Sequence, residues 1–460
     1  MKKVKTPNRF TFGLGTFGRD MVYTLISMYL MFYLTDVLSL STNTLWWITT
    51  IILCCRIFDA LNDPFMGMIV DNTKTRYGRF KPWICVGAVL AGAVAICLFY
   101  DMSGLSETGF ILVFGLLYLA WGIFYTMNDI SYWSMLPSLT QDQREREEIG
   151  SIARVCANLG LFLVVALIVP ITGILGNAFG SLQKGYFVLS IILVGIMLIF
   201  QSITVFGVKE PPESFNRPKQ HTSVREMLRV IFKNDQLLVT AIAMALFTIG
   251  YFTTTSFGLY YFKYVFDNEG MYSVFAVILG VSQIAALIVF PILGKRFPRK
   301  RLYLVATIMV VVGYVIFFFA PTNTFIFIGI AGVILFVGQA FIQIMTLMFL
   351  TDSVDYGEWK FGKRNDSVTF SLQPFINKMG GAVASGITGV TVIISGMKEA
   401  ESAVDMTPSG LMILKVAMMI LPLLCILASF VIYIRKYKID EETYAQIISD
   451  LNRRKEAIND

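Results

Sequence analysis

The feature that most constrains this chain is a series of apolar runs, each about 20 residues or longer, repeated from end to end. A run of that length crosses the roughly 30 Å hydrocarbon core of a bilayer as one helix. Lipid offers the backbone no partner, so only helices or closed barrels span it. Twelve runs are expected to be helices, at about 10–38, 44–70, 82–101, 108–138, 150–175, 185–207, 236–266, 272–293, 300–320, 324–352, 366–396 and 410–436. Composition agrees, with 56% hydrophobic and 15% charged residues, against about 25% charged in a soluble domain. The first run carries Arg19 and Asp20 and lacks a small-residue cleavage site, so it is expected to be retained rather than removed as a signal.

The net charge of +7 raises the question of nucleic acid, and the placement of the bases answers it. Threading twelve helices puts most Lys and Arg on one face: Lys2 to Arg9, Lys74 to Lys81, Arg144 and Arg146, Lys209 to Lys233, Lys295 to Arg301, Lys360 to Arg364 and Arg435 to Lys455. The opposite face has only Lys184, Lys263 and Lys398. The rich face is therefore expected to be cytoplasmic, with both termini inside and the chain multi-pass in the cell membrane. The longest interior polar stretch suggests four parts: a six-helix bundle (1–208), a central cytoplasmic loop (209–235), a second six-helix bundle (236–436) and a tail (437–460). Two bundles around a midplane cavity suit a transporter. The six cysteines lie in apolar runs without metal-ligand spacing and are expected to be buried hydrophobes. His221, the one histidine, lies in the polar loop and is expected to be solvated, which argues against a histidine proton relay.

An ionisable side chain at the bilayer centre costs at least about 2.5–3.5 kcal/mol, so it needs a partner or a water-filled cavity. In the second run, at about 100° per residue, Asp63, Arg56 and Asn62 fall within about 60° of Asp59. Two carboxylates one turn apart repel unless a cation lies between them or one is protonated, and Pro64 leaves the Ala60 carbonyl without its helical donor. These hard oxygens suit a proton or an alkali ion; a packing ion pair with Arg56 would leave the second acid unexplained. In the fourth run Asp129 and Trp133 are i, i+4 neighbours with Tyr125 and Tyr132 near the same stripe. An acid beside rings suits a sugar, whose hydroxyls donate to it while its C–H face packs on an aromatic. Asp20 lies near mid-span, and adjacent Arg19 and Asp20 are not expected to face one partner. Arg154 and Lys378 are further buried cations. Two polar segments, 67–81 and 351–358, read as gates: Asp71, Arg79 and Lys81 in the first, and Asp352 and Asp355 in the second, whose acids would meet the first segment's bases.

These residues also carry a resemblance. Tyr-Leu-Met-Phe-Tyr-Leu-Thr-Asp36, Asp59-Ala-Leu-Asn62-Asp63-Pro64, Gly78-Arg-Phe-Lys-Pro-Trp83, Tyr125-Thr126-Met-Asn128-Asp129, Arg144-Glu-Arg146-Glu and Asp352-Ser-Val-Asp355-Tyr-Gly357-Glu358 stand in order over nearly the whole chain. In this the sequence resembles the glycoside–pentoside–hexuronide:cation symporters, a branch of the major facilitator superfamily. The resemblance implies an all-α fold of twelve transmembrane helices in two six-helix bundles. It implies a cation site at Asp59, Asn62, Asp63 and Thr126, and a sugar site at Arg19, Asp20, Tyr125, Asp129, Trp133, Arg154, Gln373 and Lys378. Arg19 replaces a lysine of the family pattern, Gln343 stands at a sugar-site tryptophan, and Pro374 and Asn377 replace a threonine and a valine.

The expected function is secondary active symport of a glycoside, a melibiose-like α-galactoside or another di- or oligosaccharide, with Na⁺, Li⁺ or H⁺ by alternating access. No cofactor beyond the coupling cation is expected. The partners are the sugar, the monovalent cation at Asp59 and Asp63, and membrane lipid, with no nucleic acid and a monomeric chain. A lysolipid or amphiphile transporter on the same scaffold and a non-transporting sugar sensor are the alternatives. No nucleophile–base pair points to an enzyme.

Overall fold

The computed structural model describes residues 6–102, 104–208, 224–268, 270–322, 324–397, 400 and 403–459. In chain order the helices are α1 (6–37), α2 (Thr42–Asn72), α3 (Lys81–Leu98), α4 (Glu107–Leu139), α5 (Gln143–Phe179), α6 (Leu182–Gly207), α7 (Val224–Lys233), α8 (Asp235–Tyr264), α9 (Met271–Gly294), α10 (Arg299–Phe319), α11 (Phe325–Phe361), α12 (Asp366–Phe370), α13 (Leu372–Ile394), α14 (408–436) and α15 (Glu441–Asn459). Eleven of the twelve expected runs coincide with one of these helices each, and the run at 366–396 covers α12 and α13. Among the described residues, ten helices are long and apolar enough to cross a membrane by length and composition. The other two, α1 and α13, are the most amphipathic of the twelve, and they carry Arg19 and Asp20, and Lys378.

Local chemistry sets the ends. Ser41, Ser106, Asp142 and Ser181 each accept a backbone N–H of the first turn of α2, α4, α5 and α6, satisfying donors that a helix start leaves open. Gly78 turns the chain between α2 and α3 at φ 105°, a region that side-chain-bearing residues seldom adopt. Two π turns, Leu25–Tyr29 and Tyr33–Val37, interrupt α1 where one regular helix is expected. The run expected at 366–396 is also divided, at Ser371, into α12 and α13. Pro374 in the first turn of α13 has no N–H to continue a ladder from α12. At the polar ends, α5 begins before its apolar run and α11 continues beyond it to Phe361. Hydropathy marks where the lipid ends, and the helix does not stop there.

The chain forms two compact units. The first holds residues 1–227 together with 365–371; in it α1 packs on α5 and α6, and α4 packs on α2 and α3. Short α12 docks on α2 and α4 of this unit. There Asp71 accepts the Ser367 and Val368 amides at 3.0 and 2.9 Å, while Arg79 bridges Asp71 at 3.0 Å and Asp366 at 2.6 Å. The second unit holds 228–364 and 372–460, with α8 against α13 and α14, and α11 against α9 and α10. Its tail helix α15 packs Tyr444, Ile447, Ile448 and Leu451, together with Ile439 just before the helix, on Tyr356, Trp359 and Tyr437.

Three of the cysteines expected to be buried, Cys54, Cys85 and Cys97, are instead exposed; Cys156 and Cys425 are half-buried and Cys55 is buried. The reason is the solvent. Lipid tails are as apolar as a protein core, so a helix can present small hydrophobes outward without cost. His221, Lys398 and most of the 209–235 loop lie outside the described residues.

Candidate functional site

Along the pair α2 and α4 of the first unit, one contact follows another at each helical turn. Arg56 on α2 hydrogen-bonds Tyr118 on α4. The Asp59 carboxylate lies against Gly122, where a Cβ would occupy its space. Thr126 Oγ1 donates to Asp63 Oδ1 at 3.2 Å. Spacings of three or four residues on both helices produce this register. Asp63 is fully buried, Asp59 and Thr126 nearly so, and Asn62 half-buried. Asp59, Asp63 and Thr126 thus line the α2–α4 seam, with Asn62 beside Asp63 on α2, a set of two carboxylates, a hydroxyl and a neighbouring amide. That donor set is oxygen-rich and hard, suited to an alkali ion rather than a soft metal.

A cleft of about 380 Å³ between the same two helices lies one turn before Asp59, against Trp47, Thr50, Cys55, Leu112 and Leu116. Its walls are apolar and give a polar solute little to bind, so the chemistry belongs with the carboxylates.

The second cluster centres on Arg19, which is 2% exposed. Its Nη2 lies 3.1 Å from Asp20 Oδ2 and its Nη1 2.9 Å from Asp129 Oδ1. One guanidinium fork thus holds an acid from α1 and an acid from α4. Neighbouring Arg19 and Asp20 pair with each other, a contact the sequence reading did not foresee. The guanidinium also sits 4.9 Å from the Tyr132 ring and 5.6 Å from the Trp133 ring, and Arg154 lies 4.6 Å from Trp133, all within cation–π reach. Tyr132 itself is core, with its hydroxyl donating to the Phe12 carbonyl and its ring stacked on Phe12 at 4.5 Å.

Beside these charges Tyr125 stacks between Tyr23, at 5.0 Å, and Trp121, at 5.1 Å. Tyr23 is 44% exposed, so this aromatic wall reaches open space. Sequence reading missed Tyr23, although its position four residues after Arg19 places it on that residue's face. It also missed a buried amide bridge: Asn128 Nδ2 donates to Ile84 O at 2.7 Å and to Gln201 Oε1 at 3.2 Å, and Gln201 Nε2 donates to Gly15 O at 2.7 Å. This bridge ties α1, α3, α4 and α6 together one residue before Asp129. A lone amide in the apolar 185–207 run was the available signal.

Arg19, Asp20, Tyr125, Asp129, Trp133 and Arg154 thus gather in the first unit. Gln373 and Lys378 lie on α13 of the second, buried and half-buried respectively, and Gln343 is half-buried on α11. The gate residues have partners within their own units. Arg79 takes Asp71 and Asp366, and Lys81 donates to Val208 O at 2.6 Å. Asp352 takes Arg299, and Asp355 takes Arg364 and the Tyr444 hydroxyl, all within the second unit. Arg299, Arg364 and Asp366 come from other helices or turns, which is why spacing did not reveal them.

Comparison with known proteins places the chain in a family. The MFS/sugar transport protein family matches residues 11–441. The raffinose carrier protein of Pediococcus pentosaceus is 32% identical, over 97% of this chain and 71% of its own length. The lactose permease of Lactobacillus helveticus is 31% identical over 96% and 71%, and the isoprimeverose transporter of Lactiplantibacillus pentosus 27% over 84% and 80%. Among solved structures the E. coli fucose:proton symporter superposes with a TM-score of 0.67 at 15% identity, covering 95% of this chain and all of that one. The fold is that of the major facilitator transporters, and the protein is a multi-pass membrane transporter, not an enzyme. With a family match along nearly its whole length and relatives above 30% identity, the chain belongs to the MFS/sugar transport proteins, in the glycoside–pentoside–hexuronide:cation symporter branch.

Proposed function

We propose that this protein is a symporter that moves a glycoside together with a monovalent cation, Na⁺, Li⁺ or H⁺, by alternating access. The observation that carries the reading is the arrangement on α4. Thr126 contacts the Asp63 carboxylate, and Asp129, less than one turn further, shares Arg19 with Asp20. A cation at Asp59, Asn62, Asp63 and Thr126 and a sugar at Asp20 and Asp129 would therefore act on the same few residues of one helix. Sugar hydroxyls would compete with Arg19 for the two acids, while Tyr125 and Trp133 offer rings to the sugar's C–H face. Raffinose, lactose and isoprimeverose, the sugars in the relatives' names, support a di- or oligosaccharide, α-galactosides included. The Asn62 and Thr126 oxygens favour Na⁺ or Li⁺, since a proton needs no multi-oxygen cage.

Transport of an amphiphile on the same scaffold would ask for an apolar cavity, and two acids sharing a buried arginine do not suit one. The test is uptake of a labelled sugar panel into membrane vesicles, with and without a Na⁺, Li⁺ or H⁺ gradient. Asp20→Asn and Asp129→Asn are each expected to weaken sugar binding by roughly 10- to 100-fold, the worth of a charged hydrogen bond. Asp59→Cys is expected to keep sugar binding but lose cation stimulation. Full gradient-driven accumulation by Asp59→Cys would overturn the cation assignment, and binding without counterflow in proteoliposomes would mark a sensor.

A further inference from the structure

Helix α7, Val224–Lys233, takes no part in either cluster. Arg225, Arg229 and Lys233 recur every fourth residue, so they span only about 80° of its circumference. All three are exposed. On the same wheel Leu228 and Phe232 fall about 60° and 20° to the other side of Arg225, and they are 46% and 65% exposed. An exposed basic stripe edged by exposed large hydrophobes is unfavourable in water and favourable at a charged lipid surface.

The position of the helix agrees. A single residue, Asn234, separates it from membrane-spanning α8, and that residue is fixed. Its side chain accepts the Leu237 amide at 3.0 Å and donates to Ser353 O on α11 at 3.0 Å. A ten-residue helix is about 15 Å long, so the whole of α7 stays within reach of the bilayer surface. With Glu226 among the three bases the helix carries a net charge of +2, and Asp235, the acid that follows it, is engaged by Lys360 and the Tyr356 hydroxyl.

We propose that α7 is an interfacial helix that docks on anionic phospholipids, with Arg225, Arg229 and Lys233 on the headgroup phosphates and Leu228 and Phe232 inserted at the acyl boundary. Its contact with the leaflet is independent of which sugar or cation is carried. The full-length protein in nanodiscs of phosphatidylcholine, with and without phosphatidylglycerol, tests this by amide hydrogen exchange over 224–233. Exchange is expected to slow by roughly tenfold or more with phosphatidylglycerol, as three basic contacts imply. The R225Q/R229Q/K233Q variant is expected to exchange equally in the two lipids, with the spanning helices unchanged as a control on folding. Equal exchange of the unmodified protein in both lipids, fast or slow, would overturn the proposal. So would phosphatidylglycerol-dependent protection that survives in the triple variant.

Discussion

At the scale of single residues, Gly122 sets how closely Asp59 approaches α4. No other residue would leave room for the carboxylate where it now lies. In Gly122→Ala the added carbon must push Asp59 away from Asp63 and Thr126 or separate the helices. A displacement worth about 1.4 kcal/mol is tenfold in affinity. The concentration of Na⁺ or Li⁺ that half-maximally stimulates sugar binding is therefore expected to rise about tenfold, with sugar binding in the absence of the cation unchanged. An unchanged cation dependence would mean that Asp59 does not face the ion. The pairing of Asp59 with Asp63 was legible in the sequence because both lie on one helix, where 100° per residue fixes their relation. Thr126 was not legible by that rule, since it sits on another helix; only the family resemblance supplied it. Arg19 shows the remaining limit. Its charge in mid-span marked it as functional, but which acids it would hold depends on how a flexible stem bends and on the height of α4 beside α1.

Whole elements show the same division between what runs along one helix and what passes between helices. All twelve apolar runs could be read because hydropathy is local, while the break at Ser371 and the capture of α12 by Asp71 and Arg79 depend on partners nearly 300 positions away in the chain. The Asn128–Gln201 bridge belongs to this second kind. It fixes α4 against α1 through Gly15 and against α3 through Ile84, and so holds Asp129 at the height of Arg19. Gln201→Leu removes the bridge and leaves the Gly15 carbonyl and the Asn128 amide short of a partner in a buried place, which costs about 1–3 kcal/mol. The purified protein is expected to unfold at a lower temperature than the parent and to bind sugar more weakly, as the two helices lose their common register. A lower unfolding temperature with sugar affinity unchanged would show that the bridge holds the bundle without positioning Asp129. The tail helix α15 is anchored through Tyr444 to Asp355 and through Trp359 Nε1 to Asp450, at 2.7 and 3.1 Å. Its docking was unreadable because an amphipathic helix of mixed charge looks the same whether it packs on protein or lies in water.

For the molecule as a whole, the question is whether binding at the two clusters is coupled. Thr126 and Asp129 are three residues apart on α4, so a shift of that helix by a fraction of a turn reaches both. An equilibrium coupling must be reciprocal: whatever factor the cation adds to sugar affinity, the sugar adds to cation affinity. Coupling energies of about 1–3 kcal/mol, or 5- to 150-fold, are usual between linked sites. Calorimetric titration of the purified protein with the transported sugar, in saturating Na⁺ or Li⁺ and in an inert organic cation, gives one factor; titration with the cation, with and without sugar, gives the other. The two are expected to agree, and both to fall to about one in Asp63→Asn, which keeps the size of the side chain and removes its charge. Sugar affinity that is the same in every cation and at every pH would separate the clusters altogether, leaving Asp59 and Asp63 as structural acids. Unequal factors would show that the two titrations do not follow the same pair of binding events, because a closed thermodynamic cycle admits no difference between them.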